Sequence, residues 1–226
     1  MTEQAITAPA ETAIQENGYS DLDDFQLPRW RINKDNGLFI HDYGDQNEAI
    51  QVALIKVSKS RVMWPERYTE SNRPECRSHN LAHPEERDPE KAPFGAVDAS
   101  NLRTCASCPL AEWTDDGQER IKPRCALTYD LLLLDLETGM LGVLSLMRTR
   151  AKVARTLEGF WKMTHMRFSV RLTTEKVSGP SGQWWGITFE RDSTFEPEQR
   201  EQLIGMATGF KHWNLSSITV DITQDE

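Results

Sequence analysis

Three features of this 226-residue chain predict a mainly β fold with flanking helices, built as a small barrel interrupted by one long insertion. Short apolar segments with period-two alternation recur between residues 37 and 189 and are separated by turn-forming residues. A helical pattern lies between the second and third pairs of strands, and another follows the last strand. Residues 65 to 124 carry seven of the eleven prolines and little periodicity, too long a stretch for a structureless loop unless something staples it.

The elements follow in order. Residues 1–25 form an acidic arm, rich in Ala, Thr, Glu and Gln and expected to be disordered, so structure begins near Pro28. Gly37 to Ile40 and Ile50 to Val57 read as strands, and Arg61 to Trp64 closes a hairpin before Pro65. After Cys125, Leu127, Tyr129, Leu131 and Leu133 alternate with Thr128, Asp130, Leu132 and Leu134 as a strand. A turn at Glu137-Thr138-Gly139 leads into a second strand from Met140 to Met147. Thr149 to Met163 is a helix with Val153, Leu157, Phe160 and Trp161 on its apolar face. The strand Phe168 to Leu172 turns through residues 178–182 into Trp184 to Phe189, a further hairpin, and Pro197 to about Trp213 is a helix. The expected organisation is the arm, one elaborated domain over 26–192 with its insertion at about 65–125, and a C-terminal helix with a short acidic tail over 193–226.

The four cysteines predict the staple. Cys105 and Cys108 form a Cys-x-x-Cys knuckle, and Cys76 and Cys125 flank it at distances of 28 and 16 intervening residues. Zinc takes four thiolates in a tetrahedron, and a two-residue spacer lets both knuckle sulfurs reach one metal. One structural Zn2+ on Cys76, Cys105, Cys108 and Cys125 is the expectation. Four thiolates leave no coordination position open for water, which argues against a catalytic metal. Two buried thiols beside a chance knuckle, or two disulfides, are the alternatives, disfavoured because no export signal points to an oxidising compartment; His79 or His83 is a substitute ligand. The most apolar stretch, Leu131 to Met147, is interrupted by Asp135, Glu137 and Thr138, so neither export nor a membrane span is expected and the cytoplasm is the predicted location.

Charge is unevenly distributed. The formal total is -9, but the first 24 residues hold six acids and no base. From Arg148 to Lys176 eight bases face two acids, and from Glu190 onward eight acids face three bases. Such a basic stripe can neutralise phosphates despite the negative total.

Five or six strands with a helix before the last pair match the oligonucleotide/oligosaccharide-binding (OB) fold, a partly open Greek-key barrel that grips single strands. The segments Pro74-Glu75-Cys76-Arg77-Ser78, Cys105-Ala106-Ser107-Cys108-Pro109-Leu110-Ala111-Glu112-Trp113 and Lys122-Pro123-Arg124-Cys125-Ala126-Leu127 resemble phage-encoded four-cysteine proteins found among replication genes. They also look like the zinc-stapled barrels of T-even-phage single-stranded DNA-binding protein and of the large subunit of replication protein A. The resemblance covers about residues 30 to 190; the T-even ligand set includes a histidine where this one has only cysteines. It implies sequence-tolerant binding of single-stranded DNA in replication or recombination, inside the bacterial host of a phage.

Candidate contacts are read from strand geometry. Trp185, Ile187 and Phe189 share one face, so Trp184 points to the other; Arg167 and Arg171 likewise point away from Phe168, Val170 and Leu172. An outward tryptophan among outward arginines supplies stacking and phosphate neutralisation. Arg148, Arg150 and Lys152 extend the basic stripe, and Lys59, Arg61, Trp64, Arg67 and Tyr68 form a second patch in which bases interleave with aromatics. The acidic ends are candidate docking sites for replication or recombination proteins. No metalloprotease, phosphate-loop, dinucleotide or nucleophile-elbow motif occurs, and Asp130 and Asp135 are the one hint of a two-metal nuclease, so the expectation is not an enzyme. A zinc-containing protein-interaction or transcription-regulating factor is the alternative.

Overall fold

The computed structural model describes residues 27–44, 46–63, 76–82, 84, 86–87, 105, 108–115, 117, 120–179, 182–213 and 215. The acidic arm, the C-terminal tail and most of the insertion lie outside the described residues. The strands are β1 (Arg29–Ile32), β2 (Phe39–His41), β3 (Gln46–Asn47), β4 (Ala49–Met63), β5 (Cys76–Ser78), β6 (Glu86–Arg87), β7 (Thr114–Asp115), β8 (Arg120–Ile121), β9 (Cys125–Asp135), β10 (Leu141–Met147), β11 (Phe168–Gly179) and β12 (Gly182–Thr194). The helices are α1 (Ala151–Thr164) and α2 (Pro197–Gly209). The mainly β expectation with flanking helices is met.

One sheet runs β12-β11-β4-β9-β10-β1-β2-β3, with β5 added on β4 and β6 on β5, while β7 and β8 form a small separate hairpin. The ends of the long path meet through side chains. Thr174 on β11 donates to the Gly37 carbonyl at 2.7 Å, and Trp185 Nε1 on β12 donates to the Lys34 carbonyl at 2.8 Å. The sheet therefore curls into a half-barrel closed by tertiary bonds instead of a strand ladder.

The two faces of the sheet have different cores. The inner core gathers Trp30, Phe39, Ile50, Val52, Leu54, Leu131, Leu133, Leu144, Val170 and Leu172 under Ala154 and Leu157 of α1. On the outer face Ala53, Ile55, Leu132 and Val143 meet Leu203 of α2 and Leu215. Helix α2 is started by a reciprocal capping box between Glu196 and Gln199, with Pro197 in its first turn.

The expected hairpin between Ile50–Val57 and Arg61–Trp64 is corrected: Ile50–Val57 and Arg61–Met63 belong to the single 15-residue strand β4, and Trp64 lies outside the described residues. The intervening Ser58-Lys59-Ser60 holds no Gly, Pro, Asn or Asp to turn the chain. A bulge lies instead between Leu54 and Lys56, whose partners on β9 are the adjacent Leu133 and Leu132. The extra residue flips the alternation. Ile50, Val52 and Leu54 face inward, and after the bulge Val57 faces inward again while Ile55 and Lys56 share the outer side. Lys56 Nζ there donates to the carbonyls of Phe210, Lys211 and Trp213 at 2.8, 2.9 and 2.5 Å, capping the chain end beyond α2. Strand β1 has no counterpart in the sequence expectation, because its Arg-Trp-Arg-Ile is too short to show a pattern.

Candidate metal centre and nucleic-acid interface

The thiols sit at the end of the sheet where β4 meets the insertion. Met63 pairs in register with both Cys76 on β5 and Cys125 on β9, so the three residues form a row across neighbouring strands. Cys105 is tied nearby by its N–H to the Ala82 carbonyl at 2.8 Å, and Cys108 precedes a short 3-10 turn, Pro109–Ala111. All four cysteines are thiols, with Cys105 and Cys125 buried.

Burial pushes the Cys125 thiol up to about 12; Cys76, Cys108 and Cys105 push it the same way, and Arg61 opposes them. Four thiols are the donor set of a structural zinc. The spacing is wider than coordination, for among the described residues no three His, Cys, Asp or Glu side chains stand close enough to hold a metal ion. Register explains this: Cys76 and Cys125 are two strands apart, roughly 9–10 Å at Cα, with buried Met63 between them. His83 lies outside the described residues, and His79 joins no metal-spaced group among them.

At the same end of the sheet the chain leaves β10 in a basic 3-10 turn, Arg148–Arg150, that runs into α1. Met147 pairs with Thr128, three residues from Cys125 along β9, so this turn opens close to the thiols. Arg148 is exposed, with a left-handed φ of 53° that its own type disfavours. Arg150 stands at the N-cap position of α1 without a side-chain capping bond and donates Nε to the Trp185 carbonyl at 3.0 Å. Lys152 is exposed in the first turn of α1, where no acid offsets the bases or the positive end of the helix.

Trp185 is tied to three other segments. Arg150 Nε donates to its backbone carbonyl, the backbone carbonyl of Lys34 accepts its indole N–H, and Lys176 is its register partner across the hairpin. Its ring lies against Gly37, where a Cβ would come within 2.4 Å of it and φ is +74°. The strand phase of the sequence reading holds: Trp185 packs on the inner core, while Trp184 pairs with Val177 on the opposite face and lies across Gly179. Its setting is corrected. Arg171 pairs with Glu190 and Gln51, six residues along β11 from Val177, so it stands about 20 Å from Trp184. Arg167 is exposed still further along, just before β11.

The second candidate patch divides. Trp64, Arg67 and Tyr68 lie outside the described residues. The bulge turns Lys59 and Arg61 to the inner face, and both are engaged there. Lys59 pairs with Glu158 at 2.8 Å and stands 5.2 Å over the Tyr129 ring. Burial raises the Glu158 carboxyl, but bonds from Lys162 and Lys59 outweigh it and hold the group below the usual carboxylate range. Arg61 donates to the carbonyls of Ala111 and Cys125 at 3.3 and 3.4 Å.

Asp130 and Asp135 point to opposite faces of β9 and do not come together. Asp135 accepts the N–H groups of Glu137 and Thr138, closing the turn between β9 and β10. Asp130 is fully buried, accepting from Ser145 Oγ at 2.6 Å and Ser60 Oγ at 3.2 Å. Burial raises its carboxyl above the usual range, against those two bonds and the charges of Arg29 and Arg77. Burial also lowers Arg29, to about 10. One acid thereby bonds β9 to β4 and β10, within the field of Arg29 on β1 and Arg77 on β5. The signal of this burial in the sequence was an Asp inside an apolar run.

The fold and site define a mainly β half-barrel with a thiol cluster and a basic helix entrance at one end. Neither family models, curated proteins nor solved structures give a match to this chain. Among the described residues no helix is long and apolar enough to cross a membrane.

Proposed function

We propose that the chain is a zinc-stapled, OB-like protein that binds single-stranded DNA with little sequence preference, in replication or recombination of a phage in its bacterial host. One observation carries the reading. Arg148, Arg150 and Lys152 crowd the entrance of α1 with no acid in the first turn, beside the Trp185 hairpin. Cations packed at a positive helix end repel one another, and a phosphate backbone relieves that repulsion. The strand path β12-β11-β4-β9-β10, with α1 between β10 and β11, supports the barrel assignment. In that fold the loops after the first strand and between the fourth and fifth contact oligonucleotides. Here those are the cysteine insertion and the β11–β12 turn beside Trp184.

In this reading Arg148, Arg150 and Lys152 neutralise phosphates at the entrance of α1, and Trp184, on the other face of the hairpin from Trp185 and Lys176, offers a separate surface on which a base stacks, worth about 1–3 kcal/mol. Cys76, Cys105, Cys108 and Cys125 would hold a zinc that cross-links the insertion to β5 and β9 without taking part in chemistry. Titration of fluorescent oligonucleotides tests the function: affinity should rise with length, fall with salt and vary little with sequence. Binding that is absent or confined to one sequence would overturn it.

A second reading, a zinc-containing protein-interaction or regulatory factor, is favoured by exposed Trp113 (51%) and Ile121 (47%) around the β7–β8 hairpin between Cys108 and Cys125. Single-strand binding indifferent to loss of that hairpin's apolar side chains separates the two.

A further inference from the structure

We propose that a bound single strand continues from the α1 entrance along the exposed face of that helix, with Arg155 as a phosphate contact and Gly159 as the point where the strand's backbone comes closest. The inference deepens the single-stranded DNA reading and rests on it. Lys152, Arg155, Gly159 and Lys162 stand at i, i+3, i+7 and i+10, so they share one face of α1, turned away from the Ala154 and Leu157 side that packs on the inner core. The stripe is about 15 Å long, enough for several phosphates. It begins where Arg148 and Arg150 open the helix.

Charge on this face is not balanced within the helix. Glu158 is the one acid of α1, and both its oxygens are taken: Oε1 by Lys162 at 2.7 Å and Oε2 by Lys59 of β4 at 2.8 Å. Two lysines share one carboxylate, so the acid three residues after Arg155 is already saturated. Arg155 is exposed, and among the described residues its one hydrogen bond runs from Nε to the Tyr129 hydroxyl at 3.4 Å. Tyr129 is buried, with Lys59 5.2 Å over its ring, and acts as a positioning residue for both cations. An arginine held through Nε keeps its two Nη groups for an anion, and phosphate accepts parallel bonds from such a fork.

Gly159 is an independent observation. Glycine inside a helix costs stability relative to alanine, and it serves where something must approach the backbone closely. A Cβ at Gly159 would meet nothing within 4 Å, so none of the described residues needs the space. The gap lies about one turn from both Arg155 and Lys162, where a sugar-phosphate backbone would touch the helix. Gly205 of α2 is equally open, but Glu201 and Gly209 are its neighbours one turn away, and neither is a base.

The test titrates a fluorescent thymidine oligonucleotide into the full chain and its variants across a salt series, with urea unfolding of each. Arg155→Gln should bind about fivefold more weakly at about 0.1 M salt and flatten the salt slope by about 0.7, the share of one single-strand phosphate. Arg155→Lys, which keeps the charge without the fork, should recover the slope. Gly159→Gln should raise the unfolding midpoint and still weaken binding several-fold at an unchanged slope, because it adds bulk and removes no charge. Gly205→Gln, and Lys211→Gln at an exposed base beyond α2, should bind as the wild type does. Wild-type affinity in Arg155→Gln or in Gly159→Gln overturns the path along α1, and so does an equal loss in the two control variants, which marks diffuse attraction. A wild-type chain that binds no oligonucleotide overturns the single-stranded DNA reading first and the path with it.

Discussion

Trp185→Ala should open the half-barrel, because Trp185 joins the two ends of the sheet. Its half-buried side chain packs on the inner core and against Gly37, and its indole N–H bonds the Lys34 carbonyl at 2.8 Å. Removing about 100 Å² of buried ring surface at roughly 25 cal/mol per Å² costs about 2.5 kcal/mol. The lost hydrogen bond contributes about 1 kcal/mol more, giving a destabilisation of about 3–4 kcal/mol. For a chain of this size that lowers Tm by about 10 °C. Gly37→Ala should act on the same contact from the other side: the new Cβ would meet the ring at 2.4 Å, with φ at +74°. The double variant should therefore cost less than the two single losses together. Trp184→Ala, whose ring lies across Gly179 on the opposite face, should change stability little and weaken single-strand binding about 5–150-fold. Urea and thermal unfolding, with oligonucleotide titration, measure all four. The reasoning is refuted if Trp184→Ala unfolds the protein while Trp185→Ala leaves the midpoint unchanged, or if the Gly37 and Trp185 effects add fully.

Lys56→Met should destabilise by about 2–3 kcal/mol, since three carbonyls beyond α2 lose a charged donor; urea unfolding checks it, and a change under about 0.5 kcal/mol would remove the capping role. Asp130 has its folded-state carboxyl raised by burial, so its contribution is fully present below the unfolded pKa and is lost as pH rises through the folded one. The stability of wild type relative to Asp130→Asn should accordingly fall with rising pH above the ordinary Asp range; unfolding midpoints across a pH series test this, and a difference that grows with pH contradicts it. If the arm, with its six acids, competes with phosphates for the Arg148-to-Lys176 stripe, deleting residues 2–24 should raise single-strand affinity at low salt and change little at high salt; wild-type affinity in the deletion at both salt concentrations would retire the competition.

The sequence alone determined what local chemistry controls. Alternation placed β9, β10 and the β11–β12 hairpin, and it set Trp185 and Trp184 on opposite faces, because side-chain direction in a strand follows from parity. Apolar spacing placed α1 and α2 to within a few residues. Tertiary structure decided where parity is broken and which distant segments meet. The β4 bulge turned Lys59 and Arg61 inward and Lys56 toward the end of α2, and no pattern in β4 marks an inserted residue. Curling brought Lys34 and Gly37 to Trp185, a meeting fixed by sheet closure between residues about 150 apart in the chain. Burial of Asp130 between serines and arginines of other strands is equally non-local. Local residues fix local geometry; a one-residue slip in register, or a contact across the closed sheet, depends on the free energy of the whole packing.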